Sequence, residues 1–250
     1  MYTPAERTRL RAELLERAAG DQRIGGAAIT GSASHEREDE WSDIDLAFGI
    51  RDGAQMADVL SDWTAYMYSH NGALHHVDVT TGAWLYRVFL LANTLQVDLA
   101  FVAAAEFRAL APSFRLVLGE ANEPAPVLRM NPEKFIGMGW LYALHARSSI
   151  ARGRLWQANY MINGVRDNAL TLACIRHGLS PVHARGVDSL PPEVTVPFQG
   201  SLVRHLDKFE RARAFRAVVD GLLSEIQSTD AELAERLQSA LTSLSYLEVS

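Results

Sequence analysis

Gly31-Ser32, ten further residues, and then Asp43-Ile44-Asp45-Leu46-Ala47-Phe48-Gly49-Ile50 make a small-residue turn followed by two carboxylates on an apolar run. Side chains alternate along a strand, so a strand over Asp43 to Ile50 puts Asp43 and Asp45 on one face and Ile44 and Leu46 on the other. Two such carboxylates repel. At about 4 Å and an effective dielectric near 20 the penalty is about 4 kcal/mol, so a chain that keeps the pair calls for a compensating cation.

A third acid follows in Val97-Asp98-Leu99-Ala100-Phe101, apolar on both sides. If that strand lies beside the first, the three carboxylates meet, and an all-oxygen set suits Mg²⁺ or Mn²⁺ better than zinc. Divalent ions so held bridge triphosphate oxygens and lower the barrier to in-line attack on phosphorus. A glycine at a strand end lets backbone approach a phosphate closely, and the N–H groups and hydroxyl that follow donate to its oxygens.

The surrounding chain supplies the frame. Its 250 residues are 48% apolar, enough for one large domain or two modest ones, and we expect two. A net charge of −6 without a Lys/Arg-rich run argues against long nucleic acid as a substrate. The lone Cys174 excludes an intrachain disulfide framework and any multi-cysteine metal site, and its apolar neighbours mark it as a core thiol. Tyr2 to Gly20 reads as an amphipathic helix rather than a signal peptide, and no run of eighteen apolar residues occurs, so the reading is a cytoplasmic protein with no membrane partner.

Periodicity predicts strands over Arg23 to Thr30, Asp43 to Ile50, Leu74 to Val79, Trp84 to Leu91, Leu95 to Val102 and Phe114 to Leu118. Ser34 to Trp41 reads as a charged loop, Ala54 to His70 as a helix on one sheet face, Asn93-Thr94 as a tight turn, and Ala104 to Leu110 as a short helix. Glu120 to Pro126 reads as a linker. Beyond it, helices are predicted over Pro132 to Ile150, Arg154 to His177, Ser201 to Ile226 and Asp230 to Leu247. The expected architecture is an α/β domain over 1–125, a mixed sheet flanked by helices, followed by an antiparallel α-helical bundle over 126–250.

Gly31-Ser32, the ten-residue gap, Ser42-Asp43-Ile44-Asp45-Leu46 and Val97-Asp98-Leu99 resemble the signature of the polymerase-beta-like nucleotidyltransferase superfamily. A helical bundle after a small catalytic domain is similar, within it, to the enzymes that adenylylate aminoglycoside or lincosamide antibiotics. The motif residues cover only Ile24 to Phe101; Ala151 to Ala158 adds a loose similarity in the helical half. The resemblance implies that Asp43 and Asp45 bind two Mg²⁺ ions and that Asp98 binds the one activating the acceptor hydroxyl. It also implies that Gly31 and Ser32 hold the triphosphate of ATP or another NTP, with Ser42 supporting the loop. The expected reaction passes a nucleoside monophosphate, AMP first, to a small-molecule hydroxyl and releases pyrophosphate.

Other readings explain less. Edge protection of a sheet needs neither two acids on one apolar strand nor a third on a neighbour. A haloacid-dehalogenase-like phosphatase wants Thr or Val where Ala47 stands, and a calcium loop wants more oxygens and a turn glycine. A toxin–antitoxin enzyme acting on a protein or a tRNA end would use the same aspartates, yet tRNA calls for a basic channel that the composition does not offer. The ribonuclease-like helix of such systems fails here because Gly178 and Pro181 split Arg176 from His183. A fold that merely binds nucleotide would not need all three aspartates.

His75-His76 with Asp78 reads as surface or packing, since neighbours on a strand point to opposite faces. Arg87, expected between the carboxylate strands, is either a phosphate contact or the partner of an acid. Tyr142, His145, Arg147 and Arg152 are expected on a polar helix side, Asp167 is a possible further acid, and Trp140, Trp156 and Tyr160 read as core aromatics.

Overall fold

The computed structural model describes residues 1–126 and 130–246. The chain divides into two compact units, Met1–Leu128 and Arg129–Ser250. Each has its own apolar core.

The first unit opens with α1 (Pro4–Gly20), started by a reciprocal cap in which the Thr3 hydroxyl accepts from the Glu6 N–H while the Glu6 carboxylate accepts from the Thr3 N–H. Then come β1 (Ile24–Thr30), a 3₁₀ turn Gly31–His35, β2 (Ile44–Ile50), α2 (Met56–His70), β3 (Ala73–Thr81), β4 (Trp84–Leu91), β5 (Gln96–Ala103) and β6 (Phe114–Gly119). The strands form one mixed sheet in the order β3-β4-β5-β2-β1-β6, and all its neighbours are antiparallel except β2 and β5. That parallel pair exists because the chain leaves β2 through α2 and returns to the sheet by the β3–β4 hairpin, so β5 enters in the direction β2 took. The turn into β5 is built on Thr94, whose φ of 70° is left-handed, and is closed by the Leu91 N–H donating to the Leu95 carbonyl at 3.0 Å.

The pleat sorts the two faces. Ile44, Leu46, Phe48 and Ile50 of β2 and Val97, Leu99 and Phe101 of β5 pack with Leu14 and Ala18 of α1 and with Val59, Trp63 and Met67 of α2. Both helices therefore cover the same face. On the opposite face stand Ala28, Ala47, Ala100 and Val102 with Trp84 and Phe107. Asp45 and Asp98 belong to this second face by alternation.

The second unit is helical: α3 (Pro132–Ala151), α4 (Leu155–Arg176), α5 (Pro192–Gln199), α6 (Lys208–Thr229) and α7 (Ala231–Ser245). Its core includes Ile136, Ala146, Ile162, Val165, Phe215, Val218 and Leu222. Cys174 is fully buried, as its apolar neighbours imply. Beside it, Glu225, 4% exposed, pairs with Arg176 at 3.0 Å.

Several expectations need correction. Ala104 to Leu110 is not a helix beyond the 3₁₀ turn Ala104–Glu106. The predicted helix from Ser201 begins only at Lys208, where Asp207 caps it by accepting from the Glu210 N–H, and α5 precedes it. Leu247, the expected end of the last helix, lies outside the described residues. Trp140, Trp156 and Tyr160 are not core: they are 37%, 76% and 63% exposed, because the inward stripes of α3 and α4 are filled by smaller Ala, Ile and Val side chains.

Candidate active site

Asp45 and Asp98 are register partners on the parallel strands β2 and β5, which places the two carboxyl-bearing residues side by side on one face. Paired strands run about 4.8 Å apart, so this is close approach for two acids. The next row behind them is Ala28, Ala47 and Ala100, paired across three strands. These small side chains keep the face low behind the carboxylates.

Asp98 bears the electrostatic signature of the site. One of its oxygens, Oδ1, is buried and has no hydrogen-bond partner among the described residues. Its carboxyl is pushed up to about 6, first by burial and then by the charge of Asp43. The Tyr86 phenol is also pushed up, by burial and by the charge of Asp98. Tyr86 pairs with Ala100, one row behind Asp98 on β4.

Gly31 explains why a glycine ends β1. Its φ is +62°, and a Cβ there would stand 1.9 Å from Asp45 Oδ2, so backbone and carboxylate touch where any side chain would intrude. The sequence pattern links Gly31 to a phosphate; its neighbour in the structure is the second carboxylate of the motif. Ser34 Oγ donates to the Gly31 carbonyl at 2.7 Å, and the Ser32 carbonyl accepts from the Arg37 N–H at 3.1 Å, which shapes the turn. Ser34 to Trp41 is thus a loop only after this 3₁₀ turn.

Asp43 stands one residue before β2, which starts at Ile44. Its Oδ2 accepts from Gln96 Nε2 at 3.1 Å, on the strand face that Gln96 shares with Asp98, and its charge reaches Asp98. Ser42 Oγ donates to Asp39 Oδ1 and accepts from the Asp39 N–H, each at 2.9 Å, closing the loop before β2. Among the described residues, no three or more His, Cys, Asp or Glu side chains form a ready-made metal cluster. Mg²⁺ seldom uses an all-protein cage; it is held by one or two carboxylates together with substrate phosphates and water. The buried, unpartnered oxygen of Asp98 beside Asp45 is the kind of donor set that such an ion fits.

Arg87 is not between the carboxylate strands, because β5 lies directly against β2 and β4 is on its far side. Its guanidinium is committed to Asp78, at 2.7 and 2.6 Å, and to Thr64 Oγ1 at 2.6 Å, which removes the phosphate reading. His76 is spent on packing against Phe89 and on a 3.0 Å contact between its Nδ1 and the Tyr68 hydroxyl. In the second unit, His145, Arg147 and Asp167 are exposed, Arg152 donates to Ser148 Oγ, and Tyr142 lies 6.4 Å from Tyr160 ring to ring.

Gln96 and Tyr86 were missed from sequence. Gln96 was legible, since two residues before Asp98 means the same strand face. Tyr86 needed the register of the β4–β5 hairpin, which an Asn-Thr turn without glycine does not fix.

No family model matches the sequence, and no curated protein matches it. Among solved structures, the chain is similar to an aminoglycoside 6-adenyltransferase from Bacillus subtilis, with a TM-score of 0.42 and 12% identity, over 92% of this chain and 95% of that one.

Proposed function

We propose that the first unit transfers a nucleoside monophosphate, AMP from ATP as the first candidate, to a hydroxyl of a small molecule. An aminoglycoside-like or lincosamide-like acceptor is the leading class. The observation that carries this reading is the in-register pair Asp45 and Asp98, with a carboxylate oxygen buried and unpartnered beside it and Gly31 packed onto Asp45. Asp43, Asp45 and Asp98 would hold two Mg²⁺ ions. When bound, these neutralise triphosphate charge and ease formation of the acceptor alkoxide.

The chain's own residues then have distinct tasks. Gly31 and Ser32 hold the triphosphate tail at the end of β1. Asp98, its carboxyl near 6, is ionised at neutral pH and takes the proton of the acceptor hydroxyl. The hydroxyl oxygen forms a bond to the α-phosphorus, and the bond from that phosphorus to the pyrophosphate oxygen breaks. Pyrophosphate departs with its electron pair.

Mass spectrometry of reactions containing the protein, Mg²⁺, each triphosphate and a panel of aminoglycosides, lincosamides, tRNA and proteins tests this. An acceptor heavier by one nucleotidyl group, with pyrophosphate released, is the expected result. Modified tRNA or protein would move the assignment to a toxin–antitoxin enzyme. Asp45→Asn should abolish transfer while leaving the chain folded, as circular dichroism would show. Full turnover in that variant rejects the assignment.

A further inference from the structure

Asp43 stands one residue before β2, its carboxylate held by Gln96 of β5. The backbone that carries it is held from the N-terminal segment. Arg7 is 4% exposed, and its Nη1 donates to the Asp39 carbonyl at 2.6 Å and to the Ser42 carbonyl at 3.0 Å. The Tyr2 hydroxyl donates to the same Ser42 carbonyl at 2.9 Å. The Ser42 carbonyl belongs to the peptide that joins Ser42 to Asp43, so two donors orient the backbone unit from which Asp43 springs.

The loop is itself a stiff object. Asp39 Oδ1 accepts from Ser42 Oγ at 2.9 Å and from the Trp41 N–H at 3.0 Å. Burying a guanidinium costs several kcal/mol unless it is paired and hydrogen-bonded. Glu38 supplies the countercharge, 3.0 Å from Arg7 Nε and 2.5 Å from Arg11 Nη1. Nη1 makes both carbonyl bonds while Nε faces Glu38, a division of tasks between two fixed nitrogens that a single lysine ammonium does not reproduce.

We propose that Arg7, assisted by Tyr2, is a positioning residue: it clamps the Ser42–Asp43 peptide and so sets Asp43 for its metal and triphosphate. This rests on the nucleotidyl-transfer reading. It concerns Tyr2, before α1, and Arg7, within it, neither of which the motif contains.

Arg7→Lys and Tyr2→Phe test it, the latter keeping the ring packed and removing one hydrogen bond. Hydrogen exchange of the peptide spanning 38–45, in protein without metal, should rise about fivefold in Tyr2→Phe and more in Arg7→Lys, while the peptide spanning 97–103 stays unchanged. Binding of Mn²⁺ with ATP, followed by electron paramagnetic resonance, should weaken about fivefold and about tenfold or more respectively. In transfer assays kcat should fall and the Mg²⁺ requirement should rise, a split that mere loss of stability would not produce. Unchanged exchange over 38–45, or increased exchange with wild-type Mn²⁺ affinity, overturns the assignment. Wild-type protein that binds no Mn²⁺ removes the nucleotidyl-transfer reading along with the role of Arg7 in metal placement, whereas intact wild-type binding with unmoved variants removes the Arg7 role alone.

Discussion

Asp98 is where physical chemistry is most concentrated at the scale of single residues. Its folded carboxyl titrates at about 6 against an ordinary 3.8, so the folded chain binds the proton more tightly than the unfolded one. The stability this gives is full below about pH 4 and is lost as pH rises through 6. Asp98→Asn, which cannot ionise, should therefore match wild type near pH 4 and exceed it above pH 6 by up to about 3 kcal/mol, read from urea midpoints at both pH values. Gly31 gives a second residue-scale prediction. Alanine there adopts a left-handed backbone costing about 1 to 2 kcal/mol and drives a methyl into Asp45, so Gly31→Ala should lower the melting temperature by several degrees and transfer by about a hundredfold.

Among the elements, the β2–β5 pair sets the site. Its parallel register is what aligns Asp45 with Asp98, and the hydrophobic side chains on the opposite face of both strands lock that register into the helices. Sliding either strand by one residue would send its aspartate into the core. The carboxylate face is held from below by Phe107, only 1% exposed, which crosses Gly49 so closely that a Cβ there would stand 2.7 Å from its Cγ. Gly49→Ala should cost about 1 to 3 kcal/mol by overpacking. In a Phe107→Leu background that cost should shrink, and a double-mutant cycle should show coupling of about 0.5 kcal/mol or more. Additive costs would mean that the ring yields freely.

At the scale of the whole molecule the two units have separate cores, and the bundle's own cohesion is measurable. Leu222 is fully buried, and a Cβ on Gly139 would stand 2.7 Å from its Cδ1, so the Leu222 side chain of α6 packs directly on the α3 backbone there. Leu222→Ala should cost the bundle about 2 to 5 kcal/mol, seen as faster hydrogen exchange over α3 and α6. Adding Gly139→Ala should recover part of that loss by refilling the space. No helix among the described residues is long and apolar enough to cross a membrane.

Alternation and turn chemistry made most elements legible from residues alone. Ile44-Asp45-Leu46 and Val97-Asp98-Leu99 can only be strands with an acid on one face, because burying the apolar side chains leaves the carboxylates no other place. The same alternation made the pairing of Asp45 and Asp98 on one face legible once β2 and β5 are neighbours. Sequence did not reveal which strands are neighbours, so Arg87 was misplaced, since strand order depends on crossovers rather than local pattern. Nor did it reveal that Trp140, Trp156 and Tyr160 stay outside a core filled by smaller residues, or that Arg7 of α1 bonds the Ser42 carbonyl beside Asp43. Local sequence determines what a segment must bury; only tertiary packing decides which of several compatible partners it buries against, because those partners lie far away along the chain.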